Sequence, residues 1–381
     1  MLQGEGFLLK DLKWNKYLPA SLQPLLLQLK HSLIKGELFQ DVIGLDLSAN
    51  AIKILQLNSS TSPISVENFA ISPLPPGAII KDEIKDPSVI ATTLKNLMKQ
   101  SGIKTKAVAL AIPRSAAIIK NLTIDARLNS AEIEDRAWLE AQRLFPDLVQ
   151  DIYLDFSVVG PSPQDASQLD MILVACRKEQ LQPYLEVVQQ SGLVAQLVDV
   201  NCYALERALG QAIKADNSLE TVALLNLNFG LSSLIVLHEG QLIYAHDHAY
   251  EGYRFLMQVR KFANAENQAL LDPINQVCSI DDLAYSEILK ENLSAHLRHA
   301  IHFFYSSRPN MNIQKIIIAG DCAVIPELAT FIQRETHIEA AIANPFATMQ
   351  TAPTVDAKRL ATAAPMLLLS YGLALSEMES V

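Results

Sequence analysis

From Asp41 onward, short apolar runs broken by polar turns alternate with stretches of helical periodicity, the pattern of a mixed α/β fold. Val42–Leu47 and Ile52–Leu57 are apolar runs joined by the turn Ser48-Ala49-Asn50, which predicts a hairpin. Val66–Ile71 predicts a third strand, and Pro73, Pro75, Pro76 and Gly77 a loop. A helix is expected over Pro87–Gln100, capped by Asp86, with Pro87 at its first position and Gly102 just beyond it. Lys106–Ile112 is a buried strand stopped by Pro113.

The next stretch reads as an inserted module. Ala116–Ile124 is a strand, Ser130 caps a helix to about Leu144, and Phe145-Pro146 ends it. Strands follow at Ile152–Val159 and Leu169–Ala175, then a helix at Glu179–Gln190 that stops at Gly192. Val194–Val200 returns as a strand and runs into the helix Cys202–Ile213. A second half starts near Glu220. Its strands are Val222–Asn228, Leu234–Leu237, Leu242–Ala245 and Ile316–Ala319. Its helices are Gly252–Ala263, Leu283–Ser306 and Ile325–Glu335, and a last one runs from about Ala357 to Leu375. Both halves open alike, as apolar strand, short polar turn, apolar strand. That is a duplicated topology without strong sequence repeat.

Before Asp41 the pattern differs. Leu22, Leu25, Leu26, Leu29 and Leu33 recur at helical spacing among an excess of lysines. The preferred reading is a helix packed on the protein's own body, the other a basic amphipathic helix touching anionic lipid. Half of the 381 residues are apolar and 19% are charged, enough to bury a sizeable core in two or three domains. The formal net charge is -10 and no Lys/Arg cluster stands above that background, which argues against nucleic acid as partner. The four cysteines are far apart and lack ligand spacing, as reduced cytosolic thiols would be. No run reaches about 18 unbroken apolar residues. A soluble, cytoplasmic protein is expected.

Three turns carry candidate chemistry. In the first, Asp46 stands at a strand end, where a carboxylate can hold hydrated Mg²⁺, and Ser48, Asn50 and Lys53 supply donors for phosphate. The second repeats the arrangement with Asn226, Asn228, Gly230 and Ser232. Asn226 has no charge for a metal and cannot take a proton from water. The third, Gly320-Asp321 before a helix, could form a ledge for a nucleotide. Each turn alone is ordinary strand-end chemistry; their order in a duplicated frame is more specific. His246 and His248 on a strand, with His296, His299 and His302 on a helix, have no matching carboxylate or Cys, so a metal site there is not expected.

These turns resemble the two phosphate loops and the adenosine loop of the actin-like ATPases, and within that superfamily the chain is similar to the PilM family, relatives of the cell-division protein FtsA. The resemblance is carried by Ile43-Gly44-Leu45-Asp46 with Ile52-Lys53-Ile54, by Val108–Pro113 and by Glu140–Pro146. It continues through Leu197-Val198-Asp199-Val200 and Ala343-Asn344-Pro345-Phe346, so it spans about Asp41 to Leu375. It implies an actin-like ATPase fold of duplicated RNase H-like halves with an inserted FtsA-type 1C subdomain. The divisions expected are 1–40 N-terminal extension, 41–113 first part of 1A, 114–192 the 1C insert, 193–219 the return of 1A, 220–356 second half, and 357–381 C-terminal helix on 1A.

The resemblance also implies a scaffold of type IV pilus assembly, and with it twitching motility, at the cytoplasmic face of the inner membrane. Its partner would be the N-terminal tail of a PilN-like inner-membrane protein, with PilO, PilP and motor ATPases reached indirectly. ATP and Mg²⁺ are the implied ligands, with Asp46 at the metal. Departures from the family pattern point to weak binding without hydrolysis: Asp46-Leu47-Ser48 replaces Asp-Ile-Gly, Asn226, Asn228 and Ser232 stand where Asp-x-Gly followed by Thr is usual, Ala319-Gly320-Asp321 replaces a Gly-rich turn, and Glu251-Gly252 replaces a double Gly. On the insert, Ile118, Lys120, Leu122 and Ile124 alternate along one strand face and are the candidate partner surface. Other readings are an equivalent scaffold of a type II secretion or mannose-sensitive pilus system, an active actin-like ATPase, and a small-molecule kinase on the same fold.

Overall fold

The computed structural model describes residues 42–80, 82–146, 149–213, 219–228, 231–249, 283–325 and 327–376. The N-terminal extension, Gly230, Glu251-Gly252 and the expected Gly252–Ala263 helix lie outside these residues.

The first half is built on β1 (Ile43–Leu47), β2 (Ala51–Asn58) and β3 (Ser65–Pro73), a small hairpin β4 (Ile79–Ile80) and β5 (Glu83–Ile84), α1 (Pro87–Ser101) and β6 (Ala107–Ile112). The helix α1 begins and ends as its sequence dictates: Asp86 accepts from the backbone N–H of Val89, and Gly102 closes it in the left-handed region. The insert follows as β7 (Ala117–Asp125), α2 (Ser130–Leu144), β8 (Ile152–Pro161) and β9 (Gln168–Arg177). The cap of α2 is Asn129 rather than Ser130. Its side chain accepts from two backbone N–H groups, while Glu132 reaches back to the Asn129 N–H, a full capping box. Next come α3 (Lys178–Gln190), β10 (Val194–Val200) and α4 (Asn201–Ile213).

The second half contains β11 (Thr221–Leu227), β12 (Leu231–His238), β13 (Gln241–Ala249), α5 (Leu283–Ser307), β14 (Lys315–Ala319), α6 (Leu328–Thr336) and β15 (Glu339–Ile342). The chain ends with β16 (Gln350–Thr351), α7 (Ala357–Ala363) and α8 (Leu368–Ala374).

Two sheets repeat one topology. The first runs β10–β6–β1–β2–β3–β16 and the second β13–β12–β11–β14–β15. In each, three antiparallel strands in sequence are followed by two that run parallel to the first, one paired with it and the next paired with that one. This is the duplicated RNase H-like arrangement of the actin-like fold. A separate three-stranded sheet, β7–β9–β8, with α2 on one face, forms the insert around its own core of Ile124, Ile133, Ala137, Met171 and Leu173. The helix α3 was expected within that insert. Its buried stripe of Leu181, Tyr184, Val187 and Val188 instead joins the core of the first half.

The two halves share one continuous core, in which Val222, Leu224, Ile235 and Leu237 of the second sheet pack with the first half. Between the sheets lie α4 and α8, in backbone contact: a Cβ on Gly372 would stand 1.8 Å from the Ala204 carbonyl oxygen, and one on Gly44 of β1 1.8 Å from that of Ser370. A buried pair fixes this crossing. Arg207 on α4 bonds Asp199 at 3.1 Å and donates to the Gly372 carbonyl at 2.8 Å.

The last helix expected over Ala357–Leu375 is broken. Pro365 lacks an N–H and crowds the preceding turn, so Ala364–Leu367 becomes a 3₁₀ turn between α7 and α8. The break turns the Pro365 carbonyl to accept from the Gly320 N–H at 2.9 Å. Similarly, the helix expected from Ile325 starts at Leu328, after a 3₁₀ turn at Asp321–Val324. Among the described residues no helix is long and apolar enough to cross a membrane.

Candidate functional site

The antiparallel register of β1 and β2 sets Asp46 directly opposite Lys53. Both point toward α8 and the second half. Lys53 is fully buried, the largest such side chain among the described residues. Its ammonium donates to Asp46 Oδ2 at 2.9 Å and to the Ser48 hydroxyl at 3.0 Å. From the second half, Asp321 Oδ1 reaches it at 2.7 Å. A buried ion triad therefore spans the cleft. Burial alone would lower the lysine's pKa, but Asp321 and Asp46 together hold it above the ordinary value. Asp46 is pushed up, chiefly by burial, with Lys53 opposing.

The turn after β1 is closed on itself. The Ser48 hydroxyl donates to the Ala51 carbonyl at 3.0 Å and lies 3.2 Å from Asn50 Oδ1. Asp46, Ser48, Asn50 and Lys53 are thus brought together, as the first turn predicts.

Across the cleft, β11 and β14 pair so that Asn226 stands beside Ala319. Gly320 follows at φ +91°, and a Cβ there would lie 2.4 Å from the Leu227 carbonyl oxygen and 2.8 Å from Asn226 Oδ1. Only glycine fits. Asn228 Oδ1 accepts from the Asp321 N–H at 3.0 Å, which orients Asp321 toward Lys53. Asn226, Asn228, Gly320 and Asp321 thus form one ledge, and Gly230 lies outside the described residues.

Ser232 is a correction. Alternate residues of a strand face opposite sides, and Ser232 points away from the cleft to bond His296 of α5. Its neighbour Ser233 faces the cleft and donates to Asp247 Oδ1 at 2.7 Å. Asp247 also accepts from the Ser115 N–H at the start of the insert. The buried Asp247 is pushed up mainly by desolvation, with Ser233 and Arg114 opposing. Asp82, at the tip of the β4–β5 hairpin, is pushed up to about 7 by burial and then by Asp247 and Asp46. Sequence reasoning missed both carboxylates. The one legible sign was Asp247 lying between two histidines, which marks a strand with two polar faces.

The junction of the halves is therefore acid-rich: Asp46 and Asp321 flank Lys53, and Asp82 lies within electrostatic reach of Asp247 and Asp46. Lys53, the cation of the first turn, is already held by Asp46 and Asp321. Among the described residues, no group of three or more His, Cys, Asp or Glu side chains is placed to hold a metal ion. His248 packs edge-to-face against His246, His296, His299 and Phe303, and His246 stacks on Phe303. Burial, followed by neighbouring imidazoles, lowers His248 and His296 to about 4.

The candidate partner residues on β7 divide. Ile118 is exposed and Lys120 half-buried, whereas Leu122 packs against the core of the insert and Ile124 is inside it. Ile124 is a second correction. The face that carries these alternate residues is the one covered by α2, which leaves only its Ile118 end open.

A family model described as type IV pilus assembly protein PilM matches residues 44–378. Among solved structures, a PilM–PilN type IV pilus biogenesis complex is similar at 22% identity and TM-score 0.72, over 88% of this chain and 98% of that one. The ethanolamine utilization protein EutJ from Carboxydothermus hydrogenoformans is similar at 14% identity and TM-score 0.50, over 93% and 99%. Both are likenesses of fold.

Proposed function

The chain belongs to the PilM family of type IV pilus assembly proteins, and on that premise we propose that it is a scaffold that binds the N-terminal tail of a PilN-like inner-membrane protein. It works at the cytoplasmic face of the inner membrane, and PilO, PilP and the motor ATPases are reached through that partner. The insert, as the 1C subdomain, supplies part of the tail's groove. The similarity in fold to a PilM–PilN complex supports this reading.

The cleft binds ATP weakly and does not turn it over. The observation that carries this is Lys53, the natural phosphate-binding cation, held between Asp46 and Asp321. Phosphate must compete with a carboxylate already seated 2.7 Å from the ammonium. The Asp321→Asn variant frees Lys53 and is expected to tighten ATP binding by about tenfold, the scale of one charge-assisted contact. Titration calorimetry with Mg-ATP checks this; unchanged affinity refutes the role given to Asp321. Titration with a synthetic PilN-tail peptide checks the scaffold reading, which predicts a saturable complex.

A further inference from the structure

The insert carries a cation cluster that neither its core nor the cleft uses. Glu140 on α2 is buried, and three cations converge on it: Lys120 of β7 at 3.0 Å, Arg136 at 3.2 Å and Arg143 at 2.6 Å. The cations themselves are open to solvent, their side chains 39%, 41% and 67% exposed. One carboxylate cannot neutralise three cations. At Glu140 itself three cations share one carboxylate, although Glu132, Glu134 and Asp135 stand on the same helix, on a chain whose formal net charge is -10. The hydrogen bond from Lys120 lowers the pKa of Glu140 despite its burial, so it stays ionised as the post around which the cations are arranged.

Apolar surface flanks the cluster. Leu139, 51% exposed, lies between Arg136 and Arg143 on the helix surface. Ile118, 40% exposed, lies two residues before Lys120 on the same strand face. β7 is also an edge of its sheet, so among the described residues no strand pairs with its outer side.

We propose that this cluster anchors an acidic side chain of the partner's extended tail: an Asp or Glu carboxylate seated among Lys120, Arg136 and Arg143, with an adjacent apolar side chain against Ile118 and Leu139. The inference rests on the reading that a PilN-like tail binds this protein. It adds the chemistry the tail must present and the place where it is read. Free Lys and Arg side chains lose rotamer entropy when fixed, and the ion pairs to Glu140 already hold these three in place before the partner arrives. A guanidinium suits a carboxylate because its fork donates in pairs. An anionic membrane is the poorer match. Lipid-reading clusters carry about four to eight Lys/Arg, whereas this one has three cations around a fixed carboxylate on an acidic chain. Glu140 is a positioning residue and touches no ligand.

The test titrates the full chain with a synthetic peptide of the PilN-like protein's N-terminal tail, and with the same peptide carrying Asp→Asn and Glu→Gln replacements. The unmodified peptide is expected to lose at least about tenfold in affinity for the Arg136→Gln/Arg143→Gln variant, one charged hydrogen bond's worth. The amide peptide should bind wild type and variant alike. Glu140→Gln separates placement from charge. It makes the surface more positive, so attraction through charge alone predicts tighter binding, and a positioned cluster predicts weaker. Thermal melts establish that each variant is folded. Equal binding of the unmodified peptide to wild type and the double arginine variant overturns the inference and leaves the scaffold reading intact. So does a double variant whose only loss is co-sedimentation with phosphatidylglycerol vesicles. If the wild type does not bind the tail at all, both readings fall.

Discussion

At Lys53 the physical chemistry of one side chain organises the cleft. A lysine with no solvent exposure stays charged only because Asp46 and Asp321 stand within contact distance. Lys53→Met is expected to lower stability by about 3–5 kcal/mol, because it strands two buried carboxylates. Asp46→Asn/Asp321→Asn added to it should recover much of that loss, which urea unfolding measures. Asp82 makes a pH-dependent contribution of its own. Its folded pKa is about 7 against 3.8 for the free group, so the native state holds the proton more tightly. Its contribution is complete below pH 4 and is lost as the pH rises toward and through 7. The unfolding free energy of the wild type should fall relative to that of Asp82→Asn across this window, and parallel curves would refute the assignment.

Single elements are set by close backbone approach as much as by propensity. The crossing of α8 with α4 admits no side chain at position 372, and that of α8 with β1 none at 44. Gly372→Ala forces two backbones apart and should cost at least the roughly 1–3 kcal/mol of an overpacked core. A normal melting temperature would show that the crossing relaxes freely. The break at Pro365 shows the same logic. Apolar periodicity runs across Ala357–Leu375, but the missing N–H turns a carbonyl to Gly320, and so ties the C-terminal helices to the Gly320-Asp321 ledge.

For the whole molecule, the two halves meet through a continuous apolar core, one ion triad and the Ser233–Asp247–Ser115 contact. Asp321 and Asp247 both belong to the second half, and both hold groups of the first. On the proposed function, a ligand that takes Lys53 from Asp321 would remove one of these ties between the halves. Nucleotide that draws Lys53 from Asp321 should change the affinity for the partner tail, and Asp321→Asn should weaken that dependence. Peptide titrations with and without Mg-ATP read this coupling directly; identical tail affinities in both would exclude it.

The sequence by itself determined the duplicated α/β frame, because period-two apolar runs, Pro/Gly punctuation and capping residues are local signals. It also marked Asp46, Ser48, Asn50 and Lys53, which lie in one hairpin, and Gly320-Asp321, which sit at a strand end. Where two side chains could be exchanged by a shift of one residue, the sequence was mute. Ser232 and Ser233 are chemically alike, and only the register of β12 against β13 decides that the second faces Asp247. Ile124 alternates as an exposed face would, yet α2 covers it. Likewise, α3 follows the insert in the chain, but its apolar stripe belongs to the core of the first half. The meeting of Lys53 with Asp321, of Asp82 with Asp247, and of Lys120 with Glu140 joins residues far apart in the chain. Such pairings depend on which faces are buried together, and that was decided only when the tertiary structure brought the halves and the insert into contact.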